Sequence, residues 1–168
     1  MVTIASDAFN GMVLLHQKKI LHRDIKPENI ASRDGRAWLI DFGGAMKIGE
    51  DVEMMSTLHF MSPNMHNSGK ACVRDDLIML VYTFIWMFYP RIFTSEGDDK
   101  IYDTKVRFEN TDFDAAIKPM LEVIEKPPSD KCSPREKMEH NKNRVDTYIK
   151  FLKLDTLRHF QHCIKMSV

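Results

Sequence analysis

This 168-residue sequence contains few cysteines and has no formal net charge. The three cysteines, Cys72, Cys132 and Cys163, lie far apart, which argues against a disulfide framework or a CxxC metal site. Isolated thiols are typical of a reducing compartment, so we expect an intracellular protein, cytoplasmic or nuclear. Lys plus Arg total 24 and Asp plus Glu total 24. That balance argues against binding to nucleic acid or to a membrane surface through basic residues.

Long apolar runs are absent as well. The most apolar segment, LIMLVYTFIWMFY at 77–89, is shorter than the roughly 20 residues that span a bilayer, and it predicts a buried helix. The first fifteen residues have no basic region and are interrupted by Asp7, so we do not expect a signal peptide. With 43% hydrophobic residues, the chain can form one folded domain or part of a larger one.

The hydrophobic pattern predicts helices with a few short strands between them. Ser6 is the expected N-cap of the first helix, an RDG turn joins the last two strands as a hairpin, and Ser133 with Glu136 fits a capping box. The predicted helices are 6–19, 75–89, 112–126 and 144–165. The predicted strands are 20–22, 30–32 and 36–40. The segments expected to be irregular are 41–70, 89–103 and the linker 126–134.

Two short motifs carry the functional signal. HRDIKPEN at 22–29 and DFG at 41–43 resemble the catalytic loop and the metal-binding loop of protein kinases. The match to H-R-D-x-x-x-x-N is complete, and the predicted hairpin lies between the two motifs. Either tripeptide alone is weak, but both in this order and context make a specific signal.

The resemblance implies a chemical role for four residues. Asp24 would accept the proton of the incoming hydroxyl, and Lys26 would lie near the transferred phosphate. Asn29 and Asp41 would hold the Mg²⁺ that accompanies ATP, because hard cations prefer oxygen ligands. A lysine two residues after the catalytic Asp is typical of Ser/Thr kinases. The alternative is structural: these side chains are retained because their hydrogen bonds shape the loops.

Five further residues are expected to support these loops. By resemblance, His22 and Phe42 would pack between the two motifs, and Gly43 completes DFG. Arg23 would face the activation segment. Asp76 would hydrogen-bond the backbone of the catalytic loop.

The segment STLHFMSPN at 56–64 is similar to the end of a kinase activation segment, G-T-x-x-Y-x-[AS]-P-E. Ser56 replaces the Gly, Phe60 the Tyr and Asn64 the Glu. The positions that match the family are Thr57, Ser62 and Pro63. Asn64 cannot form the buried ion pair that the family's Glu makes.

Ser56 and Thr57 leave two alternatives open. A phosphate on either hydroxyl would find an arginine partner in Arg23, as expected of a regulatory phosphorylation site. The other interpretation is a flexible polar loop.

RDDL at 74–77 is similar to the casein kinase I-like group. The kinase resemblance is good over 6–89, which holds both motifs, the activation segment and the central helix, and weak over 90–168. We therefore interpret 1–168 as a partial protein kinase domain. The implied fold is α+β: the mainly helical C-terminal lobe of a kinase with short antiparallel β hairpins, and with the N-terminal lobe expected to be absent.

The seven glycines include no pair with G-x-G spacing, so the 168 residues hold no glycine-rich loop. We also expect no strand before the first helix to carry the Lys that binds the α- and β-phosphates. Loss of one preorganised electrostatic contact lowers a rate by about 10²–10³, so loss of several should cost at least ~10⁴. The isolated chain is therefore expected to be inactive.

Three hypotheses follow. The chain is part of a Ser/Thr protein kinase whose complete form phosphorylates protein hydroxyls with ATP and Mg²⁺. Alternatively, it is a non-catalytic, pseudokinase-like module that binds a partner protein, such as another kinase. The third is a degenerate fragment that folds poorly.

The remaining polar clusters favour no other function. The Lys/Arg-rich segment 131–150 is interleaved with acidic residues and predicts a solvated helix face. The twelve methionines predict core packing. Six histidines lack metal-ligand spacing with the cysteines and are predicted to be surface or packing residues: His16, His59, His66, His140, His159 and His162.

Overall fold

The computed structural model describes residues 2–50, 57–67, 70–88 and 98–109, together with 118, 132–136 and 139. The helices predicted at 112–126 and 144–165 lie outside the described residues, apart from residue 118. The capping box is confirmed: the Ser133 amide and hydroxyl both donate to Glu136 Oε2 at 2.7 Å, and the Glu136 amide donates to Ser133 Oγ at 3.3 Å. These bonds to the carboxylate hold the pKa of Glu136 below its usual value.

The first helix, α1, spans Val2–Gln17 and lies against the β hairpin. It begins four residues before the predicted start, so Ser6 lies inside the helix and the prediction that it caps the helix was wrong. The reason is packing, since the buried stripe extends upstream of Phe9 and determines where the helix begins. The buried apolar positions of α1 are Ala5, Ala8, Phe9, Met12 and Val13.

The predicted hairpin is confirmed as β2, Ile30–Arg33, paired antiparallel with β3, Arg36–Leu39. Asp34 and Gly35 form the turn with φ of 51° and 74°. Positive φ at both central residues matches the strand twist of a two-residue hairpin, which Asp-Gly suits. Side chains alternate between faces along β3, so Ala37 and Leu39 are buried.

The segment 41–70 is less irregular than predicted. The strand β4, Met46–Lys47, pairs antiparallel with β1, Ile20–Leu21. The helix α2, Pro63–His66, is capped by Ser62, whose Oγ accepts from the Met65 amide at 3.1 Å. Both elements are too short for a periodicity signal, although Ser-Pro at a helix start is a recognised cap signature.

The central helix α3, Val73–Phe88, confirms the predicted buried helix to within two residues. It is buried on nearly all sides, and fully burying one such apolar side chain contributes roughly 1.5–3 kcal/mol. Its most completely buried apolar residues are Leu77, Ile78, Met79, Leu80, Val81 and Tyr82. Among the described helices, none has the length and apolar character needed to cross a membrane.

The helix α4, Asp98–Glu109, falls partly in the segment predicted to be a loop, so the loop prediction for 98–103 was wrong. Its buried positions include Ile101 and a charged residue, Lys105. A lysine on the buried face interrupts the apolar periodicity by which a helix is recognised in sequence.

Candidate active site

The loop that carries HRDIKPEN lies between β1 and β2 and is attached to α3 by one carboxylate. Asp76 Oδ2 accepts the His22 amide and Asp76 Oδ1 accepts the Arg23 amide, both at 2.8 Å. The predicted bonds from Asp76 to the catalytic-loop backbone are therefore present. Arg23 has a φ of 68°, which places its backbone in the sparsely populated left-handed region. The hydrogen bonds from the His22 and Arg23 amides to Asp76 hold that conformation in place.

His16 is a site residue that sequence reasoning missed, because it was grouped with surface or packing histidines. It is buried on α1, and its Nε2 lies 2.8 Å from Asp76 Oδ2. A buried carboxylate needs hydrogen-bond partners, and His16 supplies one in addition to the two amides. Its helical spacing from Phe9 and Met12 was the available signal, since it placed His16 on the buried face.

Thr83 is a second residue that the sequence did not reveal. It is buried on α3, seven residues after Asp76, and its Oγ1 lies 3.2 Å from the Ile25 carbonyl and 2.8 Å from the Met79 carbonyl. Positions i and i+7 share one helix face. One face of α3 therefore contacts the catalytic loop on both sides of Asp24.

Asp24, Lys26, Asn29 and Thr57 form one hydrogen-bonded group. Asp24 Oδ2 accepts from Lys26 Nζ at 2.7 Å and from Asn29 Nδ2 at 3.0 Å. The Thr57 hydroxyl accepts from Lys26 Nζ at 3.1 Å and lies 3.4 Å from Asp24 Oδ1. The Asp24 and Lys26 side chains retain 18% and 22% exposure, so both groups are partly open to solvent.

The hairpin brings Asn29 close to Asp41. The Ile40 amide donates to the Asn29 carbonyl at 2.9 Å, and Asp41 follows directly. Asn29 Nδ2 donates to the Asp24 backbone carbonyl at 2.8 Å. Oδ1 of Asn29 is therefore the side-chain atom that could act as a ligand. Asp41 is exposed with a φ of 61°. Mg²⁺ is commonly bound by one or two protein oxygens plus phosphate oxygens, and this pair fits that pattern.

The residues expected to support the two motifs contact one another. The His22 and Phe42 rings lie 5.3 Å apart at 52°, and His22 Nε2 lies 3.2 Å from the Ile40 carbonyl. Phe42 is nevertheless 51% exposed, so this contact covers only part of its ring. The Gly43 amide donates to Asp41 Oδ1, and a Cβ at Gly43 would lie 3.2 Å from that oxygen, which is a tight contact.

Asn64 has a partner that its position in the motif did not predict. Its Nδ2 donates to Asp75 Oδ2 at 3.0 Å, and Asp75 also accepts the Ser62 hydroxyl at 2.5 Å and the Cys72 amide at 2.7 Å. The end of the activation segment is therefore attached to the first turn of α3 through a neutral amide. Partial burial of the thiol, followed by the nearby Asp75 carboxylate, raises the pKa of Cys72.

Thr57 belongs to the hydrogen-bonded group, because its hydroxyl contacts Asp24 and Lys26. Phosphorylation of this hydroxyl stays a prediction. Arg23 is buried, and its Nη1 lies 3.4 Å from the Gly44 carbonyl. Ser56 lies outside the described residues.

Comparison with known proteins assigns this arrangement to a family. The family model of the protein kinase domain matches residues 1–153, and the chain belongs to that family. It is 33% identical over 151 residues to serine/threonine-protein kinase D of Synechocystis sp., a match that covers 81% of this chain and 30% of that protein. Helices with small antiparallel sheets are consistent with a kinase-like fold.

Two further relatives are also named as kinases. Mitogen-activated protein kinase kinase kinase 8 of Rattus norvegicus is 32% identical over 90 residues, covering 51% of this chain and 19% of that protein. A probable casein kinase I homolog of Encephalitozoon cuniculi is 32% identical over 100 residues, covering 53% of this chain and 31% of that protein. The matched region spans less than a third of each of these relatives.

Proposed function

We propose that residues 1–168 form the catalytic-loop half of a Ser/Thr protein kinase, which transfers the γ-phosphoryl group of ATP to protein hydroxyls. The observation that carries the proposal is the Asp24 carboxylate, bound by Lys26 and Asn29 with the Thr57 hydroxyl beside it. Phosphoryl transfer depends on positioning and charge neutralisation, and this group supplies both. A reducing intracellular compartment is the proposed location.

Four side chains would each contribute one part of the phosphoryl transfer. Asp24 would take the proton of the acceptor hydroxyl through a carboxylate oxygen, which Asn29 and Lys26 keep oriented. Lys26 Nζ would neutralise charge on the transferred phosphoryl group. Asn29 and Asp41 would hold Mg²⁺, which, when bound, neutralises charge on the phosphate oxygens.

We further propose that the 168 residues alone are a slow catalyst. They contain no G-x-G pair, and the strand Lys of the family is also expected to come from elsewhere, in the same polypeptide or in a partner. Orientation of reactants can supply roughly 7–11 kcal/mol of a barrier, and an incomplete nucleotide site forfeits much of it. The RDDL sequence and the casein kinase I relative support membership of the casein kinase I-like group.

The test compares residues 1–168 with a fusion that places a casein kinase I N-terminal lobe ahead of residue 1. Both are incubated with Mg²⁺, γ-labelled ATP and an acidic protein substrate. The fusion should label the substrate, and Asp24→Asn should lower its rate at least ~10²-fold, since it removes the base. Asp34→Asn is the matched control because Asp34 is 89% exposed in the hairpin turn. Equal labelling by the fusion and its Asp24→Asn variant would refute the proposal.

A second candidate function is protein binding without catalysis. Four apolar side chains between the hairpin and the end of β4 are substantially exposed, and a contiguous exposed apolar patch would mark an interaction surface: Trp38, Ile40, Phe42 and Ile48. The partner would be a kinase N-terminal lobe, added in trans. Sedimentation should show a complex between the chain and the added N-terminal lobe, and Trp38→Ser should weaken that complex. Kinase activity of the fusion described above would reject the non-catalytic interpretation. Cooperative unfolding of the chain would exclude the degenerate fragment.

A further inference from the structure

The side chain of Lys105 is 0% exposed although it carries an ammonium group. Its Nζ donates to the Met61 carbonyl at 2.7 Å and also to the Leu58 carbonyl, and it lies 5.4 Å from the centre of the Tyr82 ring. Removing an ammonium from water costs several kcal/mol unless its donors find partners. The two carbonyls and the ring face supply such partners.

Those two carbonyls belong to the turn that positions Thr57. The Phe60 and Met61 amides both donate to the Thr57 carbonyl, at 2.9 and 3.2 Å. On its other side, the Thr57 hydroxyl contacts Asp24 and Lys26. Lys105 therefore contacts one side of this turn, and Thr57 on the other side contacts the proposed base, Asp24.

A second residue of α4 contacts the other end of the same segment. Tyr102 lies one helical turn before Lys105, and its hydroxyl accepts a hydrogen bond from Asn67 Nδ2. Its ring centre lies 4.9 Å from that of His66. The helix α4 thus contacts the segment 57–67 at both ends.

The location of this turn has a consequence for substrate binding. An acceptor hydroxyl must come within about 3 Å of Asp24 to give up its proton. Because Thr57 already lies beside Asp24, the backbone of 57–61 must border the peptide that carries the acceptor.

We propose that Lys105 is a positioning residue for the protein substrate. Its ammonium fixes the Leu58 and Met61 carbonyls, and through them it sets the edge of the acceptor site beside Thr57. The kinetic consequence rests on the proposed kinase function, whereas the bracing of 57–61 does not. Lys105 acts through the backbone and touches neither ATP nor the reacting atoms.

The first measurement is amide hydrogen exchange on residues 1–168. Lys105→Met keeps the chain length and removes the donors, so exchange of the Phe60 and Met61 amides should rise at least ~10-fold while α1 and α3 stay protected. Lys105→Gln is the second variant, because its neutral amide keeps two donors in a buried site. It should show a smaller rise. Lys100→Met, at an exposed position of the same helix, is the control and should show no change.

The second measurement is steady-state kinetics of the fusion described above. Lys105→Met should raise the KM for the protein substrate at least ~10-fold and leave the KM for ATP within about 2-fold, because only the acceptor edge moves. Unchanged exchange of the Phe60 and Met61 amides, or a uniform rise across the chain, would overturn the proposal. Local loosening with an unchanged protein KM would overturn its substrate-positioning part. A fusion without activity, combined with local loosening, would reject the proposed kinase function but leave the bracing by Lys105 intact.

Discussion

Asp76 Oδ1 and Oδ2 accept the backbone amides of Arg23 and His22 at 2.8 Å each, across more than fifty residues of sequence. The loop therefore takes its shape from a helix that follows much later in the chain.

The first prediction concerns Asp76→Asn, which replaces one acceptor oxygen by a donor that faces an amide. A buried amide left without a partner costs about 1–3 kcal/mol of unfolding free energy.

Chemical denaturation would measure that loss for Asp76→Asn. Asp34→Asn is again the control, because an exposed turn position that tolerates Asn should change the unfolding free energy by less than about 0.5 kcal/mol. Equal midpoints for the two variants would show that the Asp76 bonds contribute no net stability.

The second prediction concerns the hydroxyl of Thr83. Thr83→Val keeps the shape and removes the contact with the Ile25 carbonyl, which should lower the unfolding free energy by about 1 kcal/mol. It should also reduce kcat of the active fusion a few-fold, because Ile25 is adjacent to Asp24. Thr104→Val is a matched control, since Thr104 makes the same type of bond one helical turn back, to the Lys100 carbonyl at 2.8 Å, at an exposed site. The same loss of kcat in both variants would contradict a specific role for Thr83.

The third prediction separates the interpretations of Thr57. Thr57→Ser keeps the hydroxyl next to Asp24 and should retain most activity, whereas Thr57→Ala should lower kcat of the fusion about 10-fold or more. Thr57→Glu should lower it further, because a second carboxylate would lie against Asp24. Steady-state labelling of the acidic protein substrate measures all three. Higher activity of Thr57→Glu than of the parent would instead support an activating phosphorylation site.

The fourth prediction concerns Cys72, whose thiol pKa is raised by partial burial of the thiol and by the nearby Asp75 carboxylate. Alkylation requires the thiolate. In a chain with Cys132→Ser and Cys163→Ser, the rate of reaction with iodoacetamide should therefore reach half its maximum at a higher pH in the folded state than in the unfolded state. The urea-unfolded chain is the control and should show an ordinary thiol profile. A folded-state midpoint at or below the unfolded one would contradict the prediction.

The same shift fixes the sign of a stability effect. The folded state holds the Cys72 proton more tightly than the unfolded state does. The protonated Cys72 thiol therefore stabilises the folded state fully when the pH is below the thiol pKa of the unfolded state. This stabilisation is lost as the pH rises through the higher thiol pKa of the folded state.

Local sequence was sufficient for elements whose signal is contained in a few residues. The hairpin was predictable because Asp34-Gly35 specifies its turn, and α3 was predictable because its apolar run is interrupted only by Thr83. The helix α4 was missed over 98–103 because its buried face carries Lys105. The partners that allow a charged residue such as Lys105 to be buried come from elements that pack against α4, and the local sequence does not show which elements those are.

The same limit applies to the candidate site. HRDIKPEN identifies Lys26 and Asn29, which contact Asp24, and the match to a kinase activation segment identifies Thr57. His16, Thr83 and the Asn64 partner Asp75 are defined by contacts across 60, 58 and 11 residues of sequence. No spacing rule connects such positions, so only the folded chain reveals them.

Two neighbouring carboxylates in the first turn of α3 have different attachments: Asp75 binds Ser62 and Asn64, while Asp76 binds the loop beside Asp24. The loop that carries the proposed base and the end of the activation segment are therefore set by the same helical turn. An α-helix advances by about 100° per residue. Inserting or deleting one residue at this turn would therefore rotate one attachment relative to the other, and the two segments would lose their alignment.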